Sequence, residues 1–433
     1  MPTIIIGLYK IFSWCFHYIL KCYMKIRVIY GKEDLEVLQH RFANYNTKMT
    51  KDILRMIQDK DVICFHAASA GEFNAIKVLL KKIDDSSKFI LITTATKSGA
   101  QAFNNYTHTT PNIFNVYIPY DTPQAINSFL QFWKPAAIIL VESEIWPNMI
   151  LQGSKIASMS IISGRMSKKS FEKWVKFKDV LKILLSHFAF IGTSTQTDYR
   201  HYKIFYDNTY FTGNLKYDAE KLPVPTYDLE MLRSSIGNRR VFVCASTHPG
   251  EEKILIDSYK ELVKKLPDLL MIIAPRHIER GIEIHKLCFS NQLLSICRSD
   301  GDNINNHIPS DTNVYIFNTL GELGLTFSVS KIVFLGGSLV KVGGHNMYEP
   351  AMFGCCVITG QNTDNFADVV DGMLEFNGLV IVSNAQELTQ TVLNLFASPE
   401  KTQNIANNGM EFLKSNAGAL EMTIALLKEY KIL

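Results

Sequence analysis

Residues 331–360 read KIVFLGGSLVKVGGHNMYEPAMFGCCVITG. The run Lys331–Leu335 is apolar and rich in strand formers, so it is expected as a buried strand. Gly336, Gly337, Gly343 and Gly344 then follow within nine positions, and glycine lets a backbone take positive φ and approach a ligand closely. The segment from about Asn346 to Phe353 is expected as a short helix ending at Gly354, with Cys356–Thr359 as the next strand. Strand, glycine turn, helix and strand form the repeating unit of an open parallel α/β sheet. A helix start behind glycines offers free N–H groups and a positive dipole to a phosphate, and Glu349 is placed to accept the hydroxyls of a ribose. An ordinary strand–turn–helix connection is the alternative, but His345, Asn346 and Glu349 among the glycines favour a ligand site. No Gly-Lys-Ser/Thr closes the loop, so it is not a Walker A loop.

Working outward, the same rhythm occurs twice. Asp61–His66, Phe89–Thr94, Asn115–Ile118, Ala136–Val141, Ser158–Ser163 and Phe188–Thr193 are short apolar runs, each followed by a polar turn and helical spacing. They predict a first parallel βα domain over residues 31–222. Pro223 and Pro225 in LPVPTYD and the charged stretch behind them interrupt the pattern, so 223–240 is expected as a linker. Val241–Ala245, Leu269–Ala274, Val314–Phe317, Lys331–Leu335 and Cys356–Thr359 then predict a second α/β domain over 241–433. Ser299–Pro309 is a polar loop without an evident role. Two domains suit a chain of 433 residues, which is more than one core usually organises.

Composition narrows the function classes. With 47% hydrophobic and 20% charged residues, the chain is globular, and a net charge of +4 at this length gives no basic stripe for nucleic acid. The eight cysteines form no C-x-x-C pair and mostly sit in apolar runs, as small hydrophobes in a reducing compartment do. No Cys/His cluster has metal-ligand spacing, so no structural metal is expected. Pro2–Leu20, PTIIIGLYKIFSWCFHYIL, is apolar apart from Lys10, His17 and small polar residues, and Lys21, Lys25, Arg27 and Lys32 follow it. The charges lie on the wrong side for a cleaved signal peptide. Residues 1–30 are therefore expected as a membrane anchor, either spanning or lying in the interface, with the basic flank keeping the body cytoplasmic. A buried helix of the first domain is the alternative.

Further candidate residues stand at strand ends. Arg276 in APRH, after a strand, is placed to clamp a phosphate, or is a plain surface arginine. In TLGE (319–322), Gly321 can bring backbone against a base, although Thr319 and Glu322 also have capping-box spacing. CASTHPGE (244–251) offers Ser246, Thr247 and His248. In HAASAGEF (66–73), Glu72 opens a helix, either as a cap favoured by the dipole or as a general base for an acceptor hydroxyl. VESEIWPN (141–148) places Glu142 and Glu144 on one side of an extended segment, a carboxylate pair as in a hydrolase, or one cap and one lysine partner. Lys216 in TGNLKYD (212–218) neutralises a phosphate or carboxylate, or is simply solvated.

Taken together, HAASAGE, TTATKSG, IPYDTP, ESEIWPN, GNLKYD, ASTHPGEE, APRHIER, LGELG and GGSLVKVGGHNMYEPA, in this order, resemble the 3-deoxy-D-manno-octulosonic acid (Kdo) transferases from about Tyr30 to the C-terminus. The resemblance implies a GT-B fold of two Rossmann-like domains facing a cleft. It also implies inverting transfer of Kdo from CMP-Kdo to a lipid A precursor (lipid IVA), at the cytoplasmic face of the bacterial inner membrane, with no metal or other cofactor. By motif position, Glu72 matches the catalytic base, and Glu142 and Lys216 match residues assigned to transition-state support. Pro275 and Arg276, Leu320, Gly321 and Glu322, and Asn346, Met347, Tyr348 and Glu349 match CMP-binding segments. Met347 and Tyr348 depart from the proline that the family often carries after GGHN, and Cys355 and Cys356 from its small residues. Another GT-B enzyme such as a UDP-sugar transferase or epimerase, and a non-catalytic nucleotide-binding regulator, are the competing readings; no G-x-G-x-x-G supports a dinucleotide oxidoreductase.

Overall fold

The computed structural model describes all residues except Met1, 46–52, 84–86, 107–111, 143, 219–220 and 300–307. Most of the polar loop 299–309 therefore lies outside the described residues. The chain divides into two compact units, residues 1–219 with 416–433, and residues 220–415.

The first unit is built on seven parallel strands: β1 Asp61–His66, β2 Lys88–Thr94, β3 Ile113–Tyr117, β4 Ala137–Val141, β5 Ser158–Gly164, β6 Phe190–Thr193 and β7 Thr209–Phe211. Their order is β3-β2-β1-β4-β5-β6-β7. Alternation along a strand feeds both faces. In β1, Val62 and Cys64 pack with Phe129, Trp133 and Leu184, whereas Ile63 and Phe65 pack with Phe73, Ile76 and Leu79. Burial on both faces is why these strands read as continuous apolar runs.

The second unit repeats the plan with β8 Arg240–Thr247, β9 Leu269–Pro275, β10 Ser295–Cys297, β11 Val314–Ile316, β12 Ile332–Leu335, β13 Cys356–Thr359 and β14 Leu379–Ile381. The order is β10-β11-β9-β8-β12-β13-β14, again parallel. In each unit the strand order reverses once, between β1 and β4 and between β8 and β12. Open α/β sheets bind ligands at the carboxyl ends of the strands at such a switch point.

Two boundaries differ from the sequence expectation. The stretch 223–240 is not a plain linker, since Thr226–Ile236 is a helix of the second unit. It buries only Leu232 and Ile236, too few apolar contacts to give a helical period. The last residues, 416–433, belong to the first unit rather than to 241–433. Ala419, Leu420, Leu426 and Leu427 complete the apolar cluster around Phe65 and Phe73. Asp218 fixes the return of the chain, accepting from Gly418 N at 2.8 Å and Leu420 N at 2.7 Å at the start of the helix Ala419–Glu429. An amphipathic terminal helix carries no mark of which core it serves.

The N-terminal helix runs from Pro2 to Ile29 and is long and apolar enough to cross a membrane. Tyr9, Ser13 and His17 dock its first two-thirds on the first unit. Tyr9 Oη donates to Asp121 at 2.9 Å, Asn148 Nδ2 donates to Ser13 Oγ at 3.1 Å, and His17 Nδ1 lies 2.8 Å from Thr122 Oγ1. Ile4, Leu8, Ile11, Phe12 and Ile19 on the remaining surface are exposed.

Candidate functional site

At the switch point of the first unit, the end of β1 turns into the helix Ala70–Lys82 through Ser69. Glu72 Oε2 accepts from Ala68 N at 2.7 Å, Glu72 Oε1 from Ser69 Oγ at 2.9 Å, and Glu72 N donates back to Ser69 Oγ at 3.4 Å. Ser69 thus caps the helix through Glu72 N, and Glu72 reaches back to Ser69 Oγ and to Ala68 N, one residue before the position a capping box uses. This arrangement does not exclude the base reading: a carboxylate has about four acceptor sites, and the cap uses one per oxygen while fixing the rotamer. Burial raises the Glu72 pKa above the ordinary glutamate value, the Ser69 and Ala68 bonds offset part of the rise, and the charges of Glu142 and Glu144 add to it.

Those two carboxylates come from the end of β4. They do not lie along one extended segment as expected, because Glu142 takes a left-handed φ of 63°. The turn sends them to different partners. Glu142 Oε1 accepts from Lys216 Nζ at 3.0 Å, and Glu144 accepts from Trp146 Nε1 with His66 Nε2 3.8 Å away. Burial disfavours the charged form of Glu144, but the His66 and Trp146 contacts outweigh it and hold the pKa below the ordinary value. Lys216 sits in the 3₁₀ turn Leu215–Asp218, its N–H donating to Asn214 Oδ1 at 3.0 Å. Glu72, Glu142 and Lys216, named from three separate motifs, are thus neighbours in one unit. His66, buried beside Glu144, is a residue that sequence reasoning passed over.

The glycine segment of the second unit differs from the phosphate cradle read from sequence. The backbone after β12 is already filled by Glu251, a fully buried carboxylate. Its Oε2 accepts from His248 N at 3.0 Å and Gly337 N at 2.7 Å, and its Oε1 from Ser338 N at 3.0 Å and Leu339 N at 2.9 Å. Gly336 is obligatory here, since a Cβ would stand 2.5 Å from Ser246 O and 2.9 Å from Glu251 Oε2. The following helix is only Tyr348–Met352, too short to focus a dipole on an anion. Met347 and Tyr348 turn their side chains into the core, at 0% and 2% exposure, and Tyr348 N donates to Asn346 Oδ1 at 3.1 Å.

What faces outward is a set of side chains. Asn346 Nδ2 donates to Glu349 Oε1 at 3.3 Å. Burial raises the Glu349 pKa, with the Asn346 bond and the Arg276 charge opposing it. Arg276 is exposed after the buried Pro275 that ends β9, and its N–H donates to Thr247 O at 3.0 Å. Leu320 is 76% exposed and Gly321 has a φ of 79° with no atom within 4 Å of a Cβ placed there, so this turn is open to a flat group. Glu322 is already engaged: Arg298 donates to it twice, at 2.8 and 2.7 Å, and Thr319 Oγ1 donates to Oε2. The Arg298 bonds hold its carboxyl below the ordinary range. Thr319 and Glu322 thus meet side chain to side chain without forming a capping box, since Glu322 is itself the N-cap residue of the helix Leu323–Ser328, which has no side-chain cap bond. Among the described residues no group of three or more His, Cys, Asp or Glu is arranged to hold a metal ion.

Comparison with known proteins shows the family of the chain. The family model described as 3-Deoxy-D-manno-octulosonic-acid transferase (kdotransferase) matches residues 36–219. A 3-deoxy-D-manno-octulosonic acid transferase of Rickettsia bellii is 31% identical over 94% of this chain and 94% of its own length. The chain belongs to the Kdo transferase family. The Haemophilus influenzae Kdo transferase is 33% identical over 85% of this chain and 87% of its own. This Kdo transferase is accordingly a glycosyltransferase with the GT-B fold of two Rossmann-like units. A UDP-N-acetylglucosamine 2-epimerase of Neisseria meningitidis, solved with UDP-GlcNAc bound, has the same fold, with a TM-score of 0.53 over 86% of this chain and 100% of that one at 16% identity.

Proposed function

We propose that the chain transfers Kdo from CMP-Kdo to a lipid A precursor, lipid IVA, with inversion at the anomeric carbon and Glu72 as general base. The observation that carries this reading is the gathering of Glu72, Glu142 and Lys216 at one switch point, on the positions whose motifs match the family's chemistry. An acceptor hydroxyl oxygen attacks the anomeric carbon and its proton passes to Glu72. The bond from that carbon to the phosphate oxygen breaks, and CMP leaves with the electron pair. The raised Glu72 pKa makes it a better proton acceptor than an ordinary carboxylate. Lys216, held by Glu142, supplies positive charge as the transition state separates charge.

On the donor side, Arg276 is the group for the CMP phosphate, Asn346 and Glu349 are those for the ribose, and the open Leu320–Gly321 turn is placed for the base. With the leaving-group charge met by protein cations, the reaction calls for no divalent metal. The N-terminal helix lies in the cytoplasmic leaflet of the inner membrane rather than across it. Tyr9, Ser13 and His17 bind the first unit, while Ile4, Leu8, Ile11, Phe12 and Ile19 are exposed together with Lys10, Lys21 and Lys25, an apolar surface with basic residues as an interfacial helix carries. In this reading the enzyme works at the surface in which a lipid acceptor resides.

The test is product analysis of the purified chain with CMP-Kdo and the tetraacylated precursor by mass spectrometry. The reading expects a precursor heavier by whole Kdo residues and stoichiometric CMP. CMP release without a mass change in the acceptor would overturn it.

A further inference from the structure

Two histidines beside the glycine loop have no part in the chemistry above. His248 follows the end of β8, and His345 closes the run of glycines. Their Nε2 atoms are 2.7 Å apart, their ring planes within 11° and their centroids 5.0 Å apart. Rings stacked face to face cannot bring two atoms this close. The imidazoles must instead meet edge to edge, sharing one proton in an N–H···N bond. A tetrahedral metal ion holding both nitrogens at ~2.0–2.1 Å would set them about 3.3 Å apart, so the pair is built for a proton rather than a metal.

The backbone makes room for this pair. Gly337 has a φ of 69°, and a Cβ there would stand 3.0 Å from His345 Cδ2 and 3.4 Å from His248 Cδ2. Arg276 and a third histidine, His277, are exposed beside the pair. His277 lies edge-on to His248 with 6.0 Å between centroids, and the Arg276 charge acts on both members of the pair. The nearby carboxylates are occupied: Glu251 by four backbone N–H groups, and Glu252 by Arg280 and by Thr247 Oγ1 at 2.9 Å. Burial, the partner ring, Arg276 and His277 hold the His345 pKa down to about 4, and burial with His277 and Arg276 lowers that of His248 against the opposing Glu251 and Glu252. The pair is thus neutral at pH 7 while the site holds no anion. An anion bound beside the neutral pair and the Arg276 guanidinium would favour the charged form of the pair.

We propose that His248 and His345 form the subsite for a donor oxyanion at the anomeric centre, the phosphate or the sugar carboxylate, and that this anion binds together with one proton. Protonation leaves the shared Nε2–H–Nε2 bond intact and makes both Nδ1 atoms donors, adding one positive charge beside Arg276. This rests on the donor reading above, and deepens it by linking donor binding to proton uptake.

The experiment is calorimetry at pH 7.5 in buffers of different ionisation enthalpy, on the full chain and on His248→Gln and His345→Gln, with cytidine, CMP and CMP-Kdo as probes. The expected result is uptake of close to one proton per bound nucleotide by the unmodified chain. Both variants should lose that uptake and bind at least about tenfold more weakly, with cytidine affinity the same in all three. Uptake with CMP identifies the phosphate, and uptake with CMP-Kdo alone identifies the carboxylate. Wild-type uptake and affinity in both variants would overturn the subsite while leaving the donor reading standing. Failure of the unmodified chain to bind CMP or CMP-Kdo at all would refute the donor reading, and the subsite with it.

Discussion

Replacing Glu251 by Gln tests how the glycine loop is held. Glu251 is the acceptor for four backbone N–H groups, two on each oxygen. A glutamine keeps one oxygen and turns an NH₂ toward the other two donors, so two charge-assisted bonds are lost. At roughly 1.5–3 kcal/mol each, the cost is about 3–6 kcal/mol, a large part of the ~5–15 kcal/mol that keeps a domain folded. For a unit of this size the thermal midpoint should fall by on the order of 10 °C. Local opening is the sharper readout. If the loop opens without global unfolding, the same energy makes the amides of Gly337, Ser338 and Leu339 exchange roughly a hundred-fold or more faster, at tenfold per 1.4 kcal/mol. Because His248 N is one of the four donors, CMP affinity should fall as well. Hydrogen exchange by mass spectrometry on the segment 335–345 checks this. Unchanged protection in Glu251→Gln would refute the view that this carboxylate, rather than a bound ligand, organises the loop.

Other outcomes follow from the same geometry. Arg276→Ala and Glu349→Ala should each weaken inhibition of transfer by CMP about tenfold or more, measured as the inhibition constant, while circular dichroism stays as in the parent. Asp218→Ala removes the acceptor for Gly418 and Leu420 N–H and should destabilise the first unit by about 1–2 kcal/mol, read as earlier proteolysis of residues 416–433 in urea. Since the Glu72 pKa is raised in the folded protein and the base must be ionised, kcat/KM should climb with pH through a midpoint above the ordinary glutamate value. Glu142→Gln removes one charge that raises the Glu72 pKa and should shift that midpoint down.

The strand runs were legible because both faces of each sheet are buried, so apolar residues follow one another without alternation. β1 and β13 fall on the residues read from sequence, whereas β7, β10 and β14 are three-residue edge strands, too short to stand out. Motif order found Glu72, Glu142 and Lys216, but only the fold shows that the Glu142 turn is left-handed and that it points to Lys216. The glycine loop misled for a physical reason. Glycines signal a close approach to the backbone, and the sequence cannot say whether the approaching group is a ligand phosphate or Glu251. Met347 and Tyr348 likewise sit inside a ligand-like motif yet serve the core. His248 and His345 are 97 positions apart, and nothing local marks them as a pair. The last helix was misplaced because docking on the first unit is a tertiary fact that its own periodicity does not encode.

The central claim is that Kdo transfer depends on Glu72 as a base, and the direct measurement is the single-turnover transfer rate of Glu72→Gln with CMP-Kdo and the lipid acceptor. Glutamine can keep the Ala68 and Ser69 contacts of the cap but cannot take a proton. The account predicts a rate lower by about 10²–10⁴-fold, with the thermal midpoint and CMP affinity preserved. Transfer at the parental rate by a folded Glu72→Gln enzyme would contradict it.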